Sequence, residues 1–161
     1  MAEWLNVECG LRSFEERASE ERQGLCNARW MTQTNTLKPR TFNFAVAVFQ
    51  LCRPLMRNPE ARVPTGQLVR ASASVAANYR ASCRARSKRD FIAKLGTVIE
   101  ESDESLFWLE YMGAADLLNP RVTQKLRSES NELVAIFTAS QKTARANYAR
   151  EKALRRQRRR E

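Results

Sequence analysis

A chain of 161 residues with a formal net charge of +10, five Gly, five Pro and no His has length for one domain and a single real core. The missing His removes imidazole bases, Ser-His and Cys-His nucleophile pairs and the commonest metal ligand together. Few Gly and Pro, abundant Ala, Leu, Arg and Glu, and few β-branched runs favour an all-α protein.

The charge is unevenly placed. Residues 1–36 carry −2, residues 37–144 carry +6, and residues 145–161 alone carry another +6. A basic balance with this asymmetry points to phosphate-rich partners, nucleic acid first. Cys9, Cys26, Cys52 and Cys83 are too far apart for a Cys-x-x-Cys metal or redox pair. Cys52 and Cys83 fall within helical patterns and are expected as buried free thiols. No apolar run reaches the length of a membrane span, and Glu3 and Glu8 break any signal-peptide pattern. A reducing cytoplasm is the expected location, with no membrane association.

Residues 1–36 are polar and mixed in charge, and are expected to be poorly ordered or partly helical, around Ser13 to Arg22. Patterned sequence begins just after Met31. Two readings stay open: Met31 as the natural start, or residues 1–30 as an authentic extension.

The first helix is predicted from about Pro39 to Arg53. Phe44, Val48, Leu51 and Leu55 form its stripe, with Phe42, Ala45 and Phe49 flanking. Pro54 ends or kinks it. The second helix is predicted from Thr65, an N-cap after Pro64, to about Ser82, with Leu68, Ala71, Val75 and Tyr79 facing inward. Ser72, Ser74, Ala76 and Ala77 are expected to keep its neighbouring faces thin, and Asn78 to lie buried and fix helix register.

The third helix starts at Ser87 with Asp90 three residues on, a weaker version of the capping box. Phe91, Leu95, Val98, Ser102, Leu106 and Leu109 trace its core line, widened by Ile92 and Ile99, with Gly96 permitting close packing and Gly113 as the stop. Asn119-Pro120 opens the fourth helix, whose line is Val122, Leu126, Leu133, Phe137, Ser140 and Ala144. Short connections between four helices predict an antiparallel up-down-up-down four-helix bundle over residues 37–148, followed by a basic tail at 149–161.

Several motifs fall in order on the second and third helices: Arg70 and Ser74, then Asn78-Tyr79-Arg80, Ser87, Phe91 and Leu95, Glu104-Ser105 and Trp108-Leu109. Here the chain resembles the four-helix bundle family named for the 23S rRNA intervening-sequence protein, over roughly residues 37 to 148. It departs at Ala81, where relatives commonly carry Glu. The resemblance implies a bundle not known as an enzyme, with some members assembled as pentameric rings. A related branch, the accessory variability determinant of diversity-generating retroelements, partners a reverse transcriptase and its RNA.

Three groups of residues are candidates for function. Arg80, Arg84, Arg86, Lys88 and Arg89 crowd a basic corner within ten residues. They suit phosphate oxygens; a solvated corner paired across a subunit contact is the competing reading. Arg155, Arg156, Arg158, Arg159 and Arg160 make the tail a second electrostatic site for nucleic acid. Glu101, Glu104 and Trp108, at i, i+3 and i+7, are the candidate oligomer interface, facing opposite charges on a neighbouring subunit. Tyr79 is in register for core packing rather than base stacking. Di-metal carboxylate bundles use Glu-x-x-His pairs, so the acids at 100–104 read as a solvated or intersubunit face, with no metal, cofactor or catalytic residue. The expected function is a non-enzymatic homo-oligomer, pentameric by the resemblance, that binds nucleic acid, RNA first. The alternative is a structural module serving protein partners alone.

Overall fold

The computed structural model describes the backbone of residues 24–160 and the side chains of residues 37–160. It contains α1 (Gly24–Cys52), a 3-10 turn (Arg53–Arg57), α2 (Arg62–Ser82), α3 (Lys88–Ala114) and α4 (Pro120–Gln157), with no strand among the described residues. The helix expected around Ser13 to Arg22 lies outside the described residues.

The first helix is longer than its apolar stripe. It begins at Gly24 and carries Pro39 in its interior. Inside it, Leu37, Thr41, Phe44, Val48 and Cys52 are buried, while Leu51, and Leu55 of the following 3-10 turn, pack half-buried against the core. The predicted flank is not covered: Phe42 and Phe49 are 58 % and 45 % exposed. Pro54 sits in the 3-10 turn that ends α1, where its lack of an N–H stops the α-helical ladder.

The second helix begins three residues earlier than its composition suggests. Pro64 lies in its first turn, where an N–H would have no helical acceptor in any case. Thr65 is therefore not the cap; it is 1 % exposed, and its Oγ1 has no hydrogen-bond partner among the described residues. Leu68, Ala71, Val75 and Tyr79 point into the core as their spacing predicts. The thin face is narrower than expected, because Ser72 is buried while Ala77 faces solvent. Asn78 is half-buried and makes no side-chain hydrogen bond among the described residues, so it does not fix register.

Local chemistry explains the next boundaries. Ser87 caps α3 by accepting the Asp90 N–H at 3.1 Å. Asp90 in turn accepts the Arg86 N–H at 3.0 Å and Lys94 Nζ at 2.9 Å. The Lys94 ammonium first, then the Arg86 amide, hold the Asp90 carboxyl below its usual range. Gly113 does not stop α3. The helix runs one residue further, and Asp116 adopts the left-handed backbone (φ 54°) that glycine usually supplies. The Leu117 and Leu118 amides then close on the Met112 carbonyl at 3.0 and 3.1 Å. Asn119 caps α4 by accepting the Arg121 N–H at 2.9 Å, with Pro120 in its first turn.

The four helices share one core. Phe137 of α4 is fully buried, with its ring 5.1 Å from that of Tyr79 on α2. Early in α4 the register is offset, so Thr123 is buried and Val122 is 56 % exposed. Small residues let α3 and α4 approach: Ser130 Oγ donates to the Ser102 carbonyl at 2.8 Å, and Gln141 Nε2 donates to the Ile92 carbonyl at 3.0 Å. A Cβ on Gly96 would meet that Gln141 amide at 3.1 Å, so the glycine makes room for it. The contacts Ile92–Gln141, Ser102–Ser130 and Glu110–Arg127 ascend α3 while descending α4, so these helices run in opposite directions. Between α1 and α4, Arg40 hydrogen-bonds both oxygens of Glu129, at 2.6 and 2.9 Å, and contacts Glu132 at 2.7 Å. Cys52 and Cys83 are buried free thiols, and burial pushes the Cys52 pKa up to about 11.

Candidate nucleic-acid interface

The basic corner is built by the end of α2 folding in on itself. The Arg84 N–H bonds the Ala81 carbonyl at 3.1 Å and the Ala85 N–H bonds the Ser82 carbonyl at 3.0 Å. These tight turns tuck Cys83 and Ala85 inward and turn Arg84 and Arg86 out. Arg80, one turn back, and Arg89, in the first turn of α3, are also exposed. Four of the five predicted corner residues thus present their charge to solvent.

Lys88 differs. Its ammonium pairs with Glu151 of α4, leaving the side chain 23 % exposed. That contact places the last turns of α4 against the corner. The helix continues through Gln157, with Arg155 and Arg156 exposed in its last turn and Arg158, Arg159 and Arg160 exposed beyond it. At 1.5 Å per residue, the six positions after Glu151 carry the helix about 9 Å past this contact. Two basic segments separated in sequence by some seventy residues therefore share one end of the bundle. Arg80, Arg155 and Arg156 also lie near helix C-termini, whose free carbonyls favour positive charge.

The predicted interface residues Glu101, Glu104 and Trp108 lie on one side of α3, and all three meet partners within the chain. Arg70 of α2 bonds Glu104 at 2.6 Å and stands 4.0 Å from Glu101. Trp108 Nε1 donates to Glu104 at 3.2 Å. Burial is the main influence raising the Glu101 pKa, opposed by Arg70 and aided by Glu104 and Glu100; its Oε2 has no hydrogen-bond partner among the described residues. The Trp108 ring packs half-buried against the core rather than projecting outward.

What projects there instead is a pair that the core periodicity does not pick out. Phe107 and Tyr111 are 55 % and 48 % exposed and form a cluster with Trp108, ring centroids 5.1 to 6.2 Å apart. Their i, i+4 spacing, off the core line, is the signal in the sequence that could have found them. A second exposed apolar stripe, Phe42, Val46 and Phe49, follows the same helical spacing on α1. Among the described residues no three His, Cys, Asp or Glu side chains are grouped to hold a metal ion, and no helix is long and apolar enough to cross a membrane.

The fold defines a class: a small all-α bundle, with exposed Arg at its α2–α3 corner and along the end of α4 and an acidic and aromatic flank on α3. Residues 34–139 match the model of the 23S rRNA-intervening sequence protein family, and the chain belongs to that family. A solved structure gives the same fold: a protein of unknown function from the S23 ribosomal protein family of Bacteroides thetaiotaomicron VPI-5482. It is 26 % identical with a TM-score of 0.63, and the match covers 66 % of this chain and 99 % of that one. No curated protein matches the sequence.

Proposed function

We propose that this chain is a non-enzymatic, oligomeric scaffold that binds nucleic acid electrostatically at its basic end, RNA before DNA, in the cytoplasm. The observation that carries the reading is the Lys88–Glu151 contact, which puts the corner and the α4 extension on one surface. Arg84, Arg86 and Arg89 on one side and Arg155 and Arg156 on the other offer planar, permanently charged donors suited to phosphate. The exposed Phe107 and Tyr111 support self-association, and the family resemblance makes five the subunit number to test first. A reverse transcriptase is the protein partner to test alongside the RNA.

Binding should weaken steeply with salt, because each phosphate that is neutralised releases condensed counterions. Deleting residues 152–161 removes six basic residues and one acidic one while sparing Glu151. It should weaken binding to all RNAs alike and flatten the salt slope, by roughly 0.7 for each single-strand phosphate no longer neutralised. Replacing Arg84, Arg86 and Arg89 with Ala should add to that weakening. Fluorescence anisotropy across a salt series, with light scattering on the same samples, reads both effects. No binding to RNA or DNA at low salt would refute the reading and favour a module for protein contacts alone, to which the Phe107–Tyr111 pair is also suited.

A further inference from the structure

The buried line of α4 does not stop where the bundle does. From Phe137 its helical spacing continues through Ala144 and Tyr148 to Arg155. Phe137 is fully buried, Ala144 is half-buried, Tyr148 is 37 % exposed and Arg155 is exposed. The reason is the register of α3: Ile92 meets Gln141, and only the first turn of α3 lies between that contact and the corner. Past that point α4 turns its inward line toward the corner rather than toward a packed core.

Tyr148 lies on this uncovered line, one turn before the Glu151 that holds Lys88. Arg145 and Lys152, at i−3 and i+4, are exposed neighbours on the same helix. Its hydroxyl has no hydrogen bond and its ring meets no other aromatic ring among the described residues. Tyr79, the other tyrosine near this end, is buried against Phe137. The acids paired with Arg70 and Arg127 sit further along α3, away from the corner.

A half-exposed aromatic ring with cations on either side has the make-up of a base-stacking platform: guanidinium groups track the phosphates while the ring accepts the face of a base. We propose that Tyr148 stacks on an unpaired base, so that the basic end selects single-stranded RNA over duplex. This rests on the nucleic-acid reading above and adds to it a ligand class and a residue. Duplex RNA keeps its base faces stacked internally and offers only phosphate and sugar to the same surface.

The test uses the full chain with two probes, an unstructured oligouridine strand and a blunt-ended RNA duplex of equal phosphate count. Binding is measured by anisotropy over a salt series for the wild type, Tyr148→Ala and Tyr148→Phe. Tyr148→Ala should weaken the single strand by about 5- to 150-fold, the range expected for one stacked base. It should leave the duplex unaffected and the salt slope unchanged, because stacking releases no counterions. Tyr148→Phe keeps the ring and should bind as the wild type does; helicity and melting of both variants check that α4 is intact. Equal weakening on both probes, a changed salt slope, or no effect of Tyr148→Ala overturns the proposal while leaving electrostatic binding standing. A wild type that binds neither probe overturns both readings.

Discussion

Replacing Arg40 with Ala removes the guanidinium that ties α1 to α4. It bonds Glu129 in a forked arrangement at 2.6 and 2.9 Å and Glu132 at 2.7 Å. Hydrogen bonds to Glu129 first and Glu132 second push its pKa up, so the group is charged at any working pH. The side chains of Arg40 and Glu129 are each 28 % exposed, so their forked contact should contribute about 1.5–2 kcal/mol, the lower part of the range for hydrogen bonds to charged groups. Glu132 is 60 % exposed, and solvent screening holds its share to about 0.5 kcal/mol. Without Arg40, the two carboxylates at i and i+3 repel each other, which adds about 0.3 kcal/mol. The expected destabilisation is about 2–3 kcal/mol. For a chain of this size that lowers Tm by roughly 4–12 °C.

Urea unfolding of wild type, Arg40→Ala, Glu129→Gln and the double variant gives the coupling directly. It should be about 1–2 kcal/mol. Hydrogen exchange should show α1 becoming unprotected before α3 and α4, because little else joins α1 to α4. A destabilisation below about 0.5 kcal/mol with no coupling would mean that α1 is held by its packing on α2 alone.

Phe137→Ala should cost about 3–5 kcal/mol, because it opens a cavity beside Tyr79 at a fully buried site, and chemical denaturation would show it. Burial raises the folded-state pKa of Glu101, so the folded chain binds a proton more readily there and stability falls as pH rises through that window. Glu101→Gln should therefore raise Tm at neutral pH, with the gain vanishing below about pH 4, where the carboxyl is protonated folded and unfolded; a lower Tm at neutral pH would show that the Arg70 attraction outweighs burial. Ala77→Leu should change stability by no more than about 0.5 kcal/mol, because the residue faces solvent. Ser72→Leu at a buried position of the same helix should cost about 1–3 kcal/mol, and paired thermal melts compare the two.

Much of the architecture could be read along the chain because its causes act over one or two turns. Leu68, Ala71, Val75 and Tyr79 share a face whatever the rest of the chain does, and all four are buried. Ser87 accepts the Asp90 amide and Asn119 the Arg121 amide, both within three residues, so α3 and α4 begin where the sequence places them. Local signals misled where two local solutions compete. Pro64 is as comfortable inside a first turn as before one, and Asp116 takes the left-handed conformation that Gly113 also offered.

The candidate sites depended on register between helices, which no local pattern encodes. Arg70 meets Glu104 across 34 residues of sequence, and Lys88 meets Glu151 across 63. Which charges pair, and which stay exposed, follows from how far each helix slides along its neighbour. Ser102, Ser130, Gly96 and Gln141 set that slide for α3 and α4 by letting the backbones close to hydrogen-bonding distance. Composition alone determined that the chain is helical, basic and without imidazole chemistry. Only the packing decided that corner, tail and Tyr148 meet at one end, because α4 runs on past the point where α3 begins.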